Sequence, residues 1–116
     1  GCGKTTTLYA MLQELRSPER VVITAEDPVE LHLDGVLQAP VGPDMGFRDA
    51  MFAMLRNDLD VGMVSELRDA DAIALLFQMG ATGHLMLSAM HAKDGAGLIR
   101  TCRCIRFAMR RRFCLA

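Results

Sequence analysis

The stretch "GCGKTTTLYAML" (1–12) decides how the rest of the chain is read. Gly3-Lys4-Thr5 coincides with the end of a phosphate-binding loop, whose pattern is G-x-x-x-x-G-K-[ST]. The first glycine of that pattern would fall three residues before Gly1. Backbone N–H groups in such a loop, with the N-terminus of the helix behind it, bind phosphate anions. On that reading Gly1, Gly3, Lys4 and Thr5 form the site. Lys4 neutralises the β- and γ-phosphates and the Thr5 hydroxyl ligates Mg²⁺. A chance G-x-G-K before a helix gives the same letters, so the reading needs support from the other segments.

Working outward, 116 residues suffice for one small domain, and the 51 % of apolar residues can build a core for it. The net charge of −1 argues against a general nucleic-acid binder. No apolar run approaches the length of a membrane span, so if a membrane matters it matters through partners. The charge is unevenly spread. Residues 1–99 hold all 14 acidic residues and seven of the 13 basic ones, while 100–116 hold the other six, all arginines. Three of the four cysteines, Cys102, Cys104 and Cys114, fall in the same tail. Their spacing offers no second pair and no nearby histidine, which speaks against a zinc site.

The pattern along the chain alternates helix and strand. Residues 5–16 contain good helix formers and follow a glycine-rich turn, which predicts a helix. "VVITAE" (21–26) reads as a strand, and "GVLQAPV" (35–41) as a weaker extended segment. Apolar residues at helical spacing mark 46–57, with Met51 and Met54 among them. "VGMVSE" (61–66) reads as a strand, 69–80 as a helix ending at Gly80, 84–90 as a strand and 94–105 as a helix. Strands separated by helices predict an α/β fold with a parallel sheet and right-handed crossovers. Ligands of such sheets sit beyond the carboxyl ends of the strands, and each polar cluster here follows an apolar strand. The methionines, including Met86 and Met90, are read as flexible core filler.

"TAEDPVE" (24–30) places Glu26, Asp27 and Glu30 at a strand end, where carboxylates orient an attacking water, hold hydrated Mg²⁺ or solvate a turn begun by Pro28. "DVGMVSELRD" (60–69) is an apolar strand ending in Glu66, placed to reach a metal ion or its water, with Arg68 and Asp69 a turn further on. His84 and His91 bracket one apolar run (84–90) that spans about 23 Å as a strand, so they cannot share a metal ion. His91, at the carboxyl end, is the candidate γ-phosphate sensor. His84 is read as structural.

Taken in order, "GKTTTLY" (3–9), "TAEDPVE" (24–30), "MVSELRD" (63–69) and "TGHLMLSAMHAKD" (82–94) resemble one family, the ATPases of type II secretion and type IV pilus assembly. The matches are to its Walker A loop, aspartate box, Walker B element and histidine box. "LDGVLQAPV" (33–41) is similar to the secretion and pilus-extension branch. The resemblance implies a RecA-like P-loop NTPase core, hexameric, coupling ATP hydrolysis to subunit motion. It implies that Gly1, Cys2, Gly3, Lys4, Thr5 and Thr6 bind ATP, with Thr5 and Glu66 around Mg²⁺. Glu26 would activate water, Glu66 would be the Walker B acid, and His91 would belong to the phosphate-sensing box. It further implies a cytoplasmic protein, peripheral to the inner membrane through a secretion or pilus platform, with no nucleic acid as partner.

Departures accompany the resemblance. Ser65 replaces a glycine beside Glu66, where its side chain is expected to crowd the approach to the metal. "RNDLD" (56–60) and "SAMH" (88–91) are altered, Cys2 replaces a serine, and paired C-x-x-C motifs are missing. The expected organisation is a partial RecA-like domain over 1–100, lacking the first strand and the start of the loop, with an aberrant tail at 101–116. A frameshift near codon 100 would account for that tail, and a native basic arm is the rival. With its loop incomplete, the chain is expected to hydrolyse ATP weakly or not at all alone. Beside the motor segment stand two alternatives, an inactive remnant and a regulatory subunit that binds nucleotide without hydrolysis.

Overall fold

The computed structural model describes residues 2–92 and 94–103. The elements are α1 (Lys4–Leu15), β1 (Val22–Glu26), β2 (Leu37–Pro40), α2 (Phe47–Leu55), β3 (Val61–Val64), α3 (Ala70–Ala81) and β4 (Leu85–Ser88). The chain is helical again over 95–103. Gly1, Lys93 and residues 104–116 lie outside the described residues, and with them most of the arginine-rich tail.

Gly3 turns the chain into α1 at φ 79°, a left-handed conformation that glycine adopts without a Cβ penalty. Good helix formers carry α1 to Leu15, and Ser17-Pro18 follows its end. Leu8, Tyr9 and Leu12 form its buried face. They pack on Val22, Val61 and Met63 of the sheet, with Leu33 and Ala89. The opposite face of the sheet, with Ile23, Ala25 and Val64, is covered by Ala50, Met51 and Met54 of α2 and by Ala72, Ile73, Leu75 and Met79 of α3. The result is a three-layer helix–sheet–helix sandwich.

The four strands are all parallel in the order β2-β1-β3-β4. Ala25 pairs with Val64 and Ala39, and Val64 with Ser88, so the strands end almost level. Pairing continues past them: Ser65 N–H donates to Ala25 O at 2.9 Å and Leu67 N–H to Ala89 O at 3.2 Å. The segments after β1, β3 and β4 therefore leave from one edge, the carboxyl edge of the sheet.

The strands are shorter than their apolar runs. The run 61–66 is strand only to Val64, and 84–90 only over Leu85–Ser88, so both histidines fall outside the strand. The helix expected to end at Gly80 continues to Ala81, and the left-handed glycine is Gly83 at φ 102°. Thr82 and His84 explain the shift by binding the last carbonyls of α3. Thr82 Oγ1 donates to Met79 O at 2.9 Å, and His84 Nδ1 lies 3.0 Å from the same oxygen. His84 thus closes a helix, in keeping with a structural role.

Candidate active site

α1 opens without a side-chain cap and without an acidic residue in its first turn. α3, by contrast, is closed by Asp69, whose Oδ1 accepts from Ala72 N–H at 2.7 Å, and it carries Asp71 in its first turn. The start of α1 thus has no side-chain cap and carries a cation, whereas α3 uses Asp69 for one of its own first-turn N–H groups. Lys4 is the first residue of α1.

The Lys4 ammonium sits 3.5 Å from His91 Nδ1, across 87 residues of sequence. On the other side of the ring, His91 Nε2 is 2.9 Å from Glu66 Oε1. An ammonium only donates, so Nδ1 is assigned as the acceptor, and Nε2–H then donates to Glu66. Arg68 occupies the other carboxylate oxygen, with Nη2 2.8 Å and Nε 3.1 Å from Glu66 Oε2. The Arg68 guanidinium holds the Glu66 carboxyl below the usual carboxylate range against the opposing effect of desolvation, and the Lys4 ammonium, with His91 when its ring carries a second proton, lowers it further. Three segments distant in sequence, after β3, after β4 and at the head of α1, thus meet in one chain of polar contacts.

Glu26 does not join that chain. It ends β1 on the α1 side of the sheet and is 1 % exposed. Its carboxylate accepts from the Tyr9 hydroxyl on Oε2, and from Thr24 Oγ1 at 2.6 Å and Gln38 Nε2 at 3.0 Å on Oε1. Asp27 and Glu30 are the exposed acids of the segment, so the solvated turn belongs to them and not to Glu26. The Ser65 hydroxyl is turned toward β1, where Asp27 N–H approaches it at 3.4 Å. Cys2 and Thr6 are exposed and Thr5 half-buried. Gly1 lies outside the described residues.

The sequence sets Arg68 beside Glu66 without marking it as an ion-pair partner, and the motifs give no role to Tyr9, Thr24 or Gln38 as partners of Glu26. Thr24 has a sequence signal, since it precedes Glu26 by two and must share its face of the strand. Arg68 lies within a turn of Glu66. Gln38 has no local signal at all. Thr5 offers a hydroxyl beside the uncapped helix start and Glu66 an ionised carboxylate, oxygen donors of the kind a hard divalent cation takes, with both Glu66 oxygens held here by Arg68 and His91.

An all-parallel sheet between helical layers, entered through a Gly-Lys-Thr turn, is the fold of P-loop ATPases. The chain belongs to the Type II/IV secretion system protein family, whose profile matches residues 1–110. It is 46 % identical over 105 residues to the type II secretion system ATPase E of Vibrio cholerae, covering 89 % of this chain and 21 % of that protein. It is also 46 % identical over 101 residues to the type II secretion system protein E of Pseudomonas aeruginosa, covering 85 % and 20 %. The chain therefore spans about a fifth of the length of these relatives. Among solved structures, the pilus retraction motor PilT with bound ADP superposes with a TM-score of 0.81 at 33 % identity, over 88 % of this chain and 32 % of that one. The ATPase DotB of Legionella pneumophila does so with a TM-score of 0.73 at 26 % identity, over 88 % and 31 %. Among the described residues no helix is long and apolar enough to cross a membrane.

Proposed function

We propose that the chain is the catalytic segment of a hexameric ATPase that hydrolyses ATP to power type II protein secretion or type IV pilus assembly. It would act from the cytoplasmic side on an inner-membrane platform of that machine. The observation that carries this reading is the Lys4–His91–Glu66 chain of contacts, which joins the first, third and fourth motifs at the carboxyl edge of the sheet.

In this reading Cys2, Gly3 and Thr6 present backbone N–H groups to phosphate, with Gly1 before them, and Lys4 balances its charge. Thr5 and Glu66 would hold Mg²⁺, which supplies charge neutralisation at the phosphates. His91, already between Lys4 and Glu66, is placed to donate from its ring where a γ-phosphate replaces one of them. Glu26 is the candidate base for the attacking water. The family-like part is taken as 1–100 and the tail as 101–116, on the change of charge at Arg100.

Equilibrium dialysis with ATP and Mg²⁺, followed by phosphate release, tests the reading against Lys4→Ala. Removing the ammonium should weaken binding about tenfold or more, a loss of about 1.4 kcal/mol or more. Equal binding by both proteins would sink the assignment. One observation favours a second reading, a nucleotide binder without hydrolysis, whether regulatory subunit or remnant. Glu26 is sealed from solvent by three donors. Saturable binding with no turnover above the Lys4→Ala level would select it.

A further inference from the structure

Tyr9 is the only tyrosine of a chain that has no tryptophan, and it lies on the buried face of α1, five residues beyond Lys4. Its hydroxyl donates to Glu26 Oε2 and accepts the backbone N–H groups of Glu30 at 3.2 Å and Leu31 at 3.4 Å. A phenol offers one donor and two lone pairs, and all three are used. One oxygen atom thereby joins α1, the end of β1 and the loop that leaves it.

The two carboxylate oxygens of Glu26 are served unequally. Thr24 and Gln38 both donate to Oε1, whereas among the described residues Tyr9 alone donates to Oε2. At 1 % exposure no bulk water can take the place of that donor. An unsatisfied oxygen on a buried carboxylate is costly, so the side chain must follow the phenol wherever α1 carries it.

We propose that Tyr9 is a positioning residue for Glu26: through one hydroxyl, the helix that begins at Lys4 sets where the Glu26 carboxylate and the 27–31 loop lie. The inference rests on the nucleotide site proposed at Lys4 and Thr5. Lys4 and Tyr9 are less than two turns apart on one rigid helix. A displacement of α1 by bound phosphate is therefore delivered to Glu26, and a phenylalanine at position 9 would fill the space without delivering it.

With a single tyrosine, the tyrosinate absorption band follows Tyr9 and nothing else. Burial, and then the bond to the Glu26 carboxylate, push its ionisation above the ordinary tyrosine range. In Glu26→Gln, which keeps the side-chain shape, the ionisation should move back toward the ordinary range. Gln13→Ala, on the exposed face of α1, should leave it in place. In ATP turnover, Tyr9→Phe should lower kcat roughly ten- to a hundred-fold with KM little changed, the mark of a misplaced group. A merely structural tyrosine would change thermal stability and leave kcat per folded molecule as it was. Identical tyrosine ionisation in wild type and Glu26→Gln overturns the proposal, as does full kcat in Tyr9→Phe. Failure of the nucleotide reading shows differently, as ATP binding and turnover no better than Lys4→Ala. The tyrosine titration, done without nucleotide, then decides the role of Tyr9 by itself.

Discussion

Glu66 shows how much of this site is set by single side chains. Arg68 takes one of its oxygens and His91 the other, and Lys4 stands behind the imidazole. Because Arg68 above all lowers its ionisation, Glu66 stays charged at pH values where an ordinary carboxylate begins to protonate. The sign follows from linkage: a depressed carboxyl contributes stability that is fully present above its unfolded pKa and is lost as pH falls through the folded one. Arg68→Ala should therefore raise the Glu66 titration toward the ordinary carboxylate range, read by carbon NMR of its carboxyl against pH. An unchanged titration would mean that His91 and Lys4 suffice to hold the charge. The arginine is exposed, so the same substitution should leave global stability nearly unchanged.

The helices and strands carry their own tests. α1 and α3 are each 12 residues long, yet they treat their first turns in opposite ways, α3 capped by Asp69 and α1 left open behind Gly3. Asp69→Ala removes the acceptor for Ala72 N–H and should cost about 1 kcal/mol in urea denaturation. In β3, a Cβ built on Gly62 would meet Met86 Sδ and Cε at 2.6 Å and Leu59 Cδ2 at 3.1 Å. Gly62→Val should cost about 1–3 kcal/mol through overpacking. Gly62→Ala should cost less, because the thioether can swing aside. If the contact is the cause, Met86→Ala should recover part of the Gly62→Val loss in a double-mutant cycle, whereas additive losses would locate the strain in the strand itself.

For the molecule as a whole, the sheet among the described residues is buried at its centre and exposed at its outer strands. β1 and β3 lie under helices on both faces and are wholly buried, while the outer strands expose Leu37 at 63 % and Leu85 at 46 %. Apolar outer strands of this kind invite pairing between copies. Leu37→Lys with Leu85→Lys should reduce light scattering of concentrated solutions while changing unfolding free energy by no more than about 0.5 kcal/mol per site. Unchanged scattering would clear these edges. The element order, the parallel sheet and the gathering of motifs at its carboxyl edge were all legible in the sequence. Apolar period, glycine turns and strand-end acids are local signals, and short crossovers leave few ways to connect them. Ends of elements were less legible: α3 runs past Gly80 because Thr82 and His84, folding back, satisfy its carbonyls. Lys4, Glu66 and His91 were named from their motifs, but that His91 stands between the other two follows only from the level ending of β3 and β4. Glu26 is the sharper case. Its strand and its acid are local facts, and that acid's burial beneath Tyr9 and Gln38 is not. Which donors reach a carboxylate depends on the face its strand presents and on the helix laid across that face, and only tertiary packing decides both.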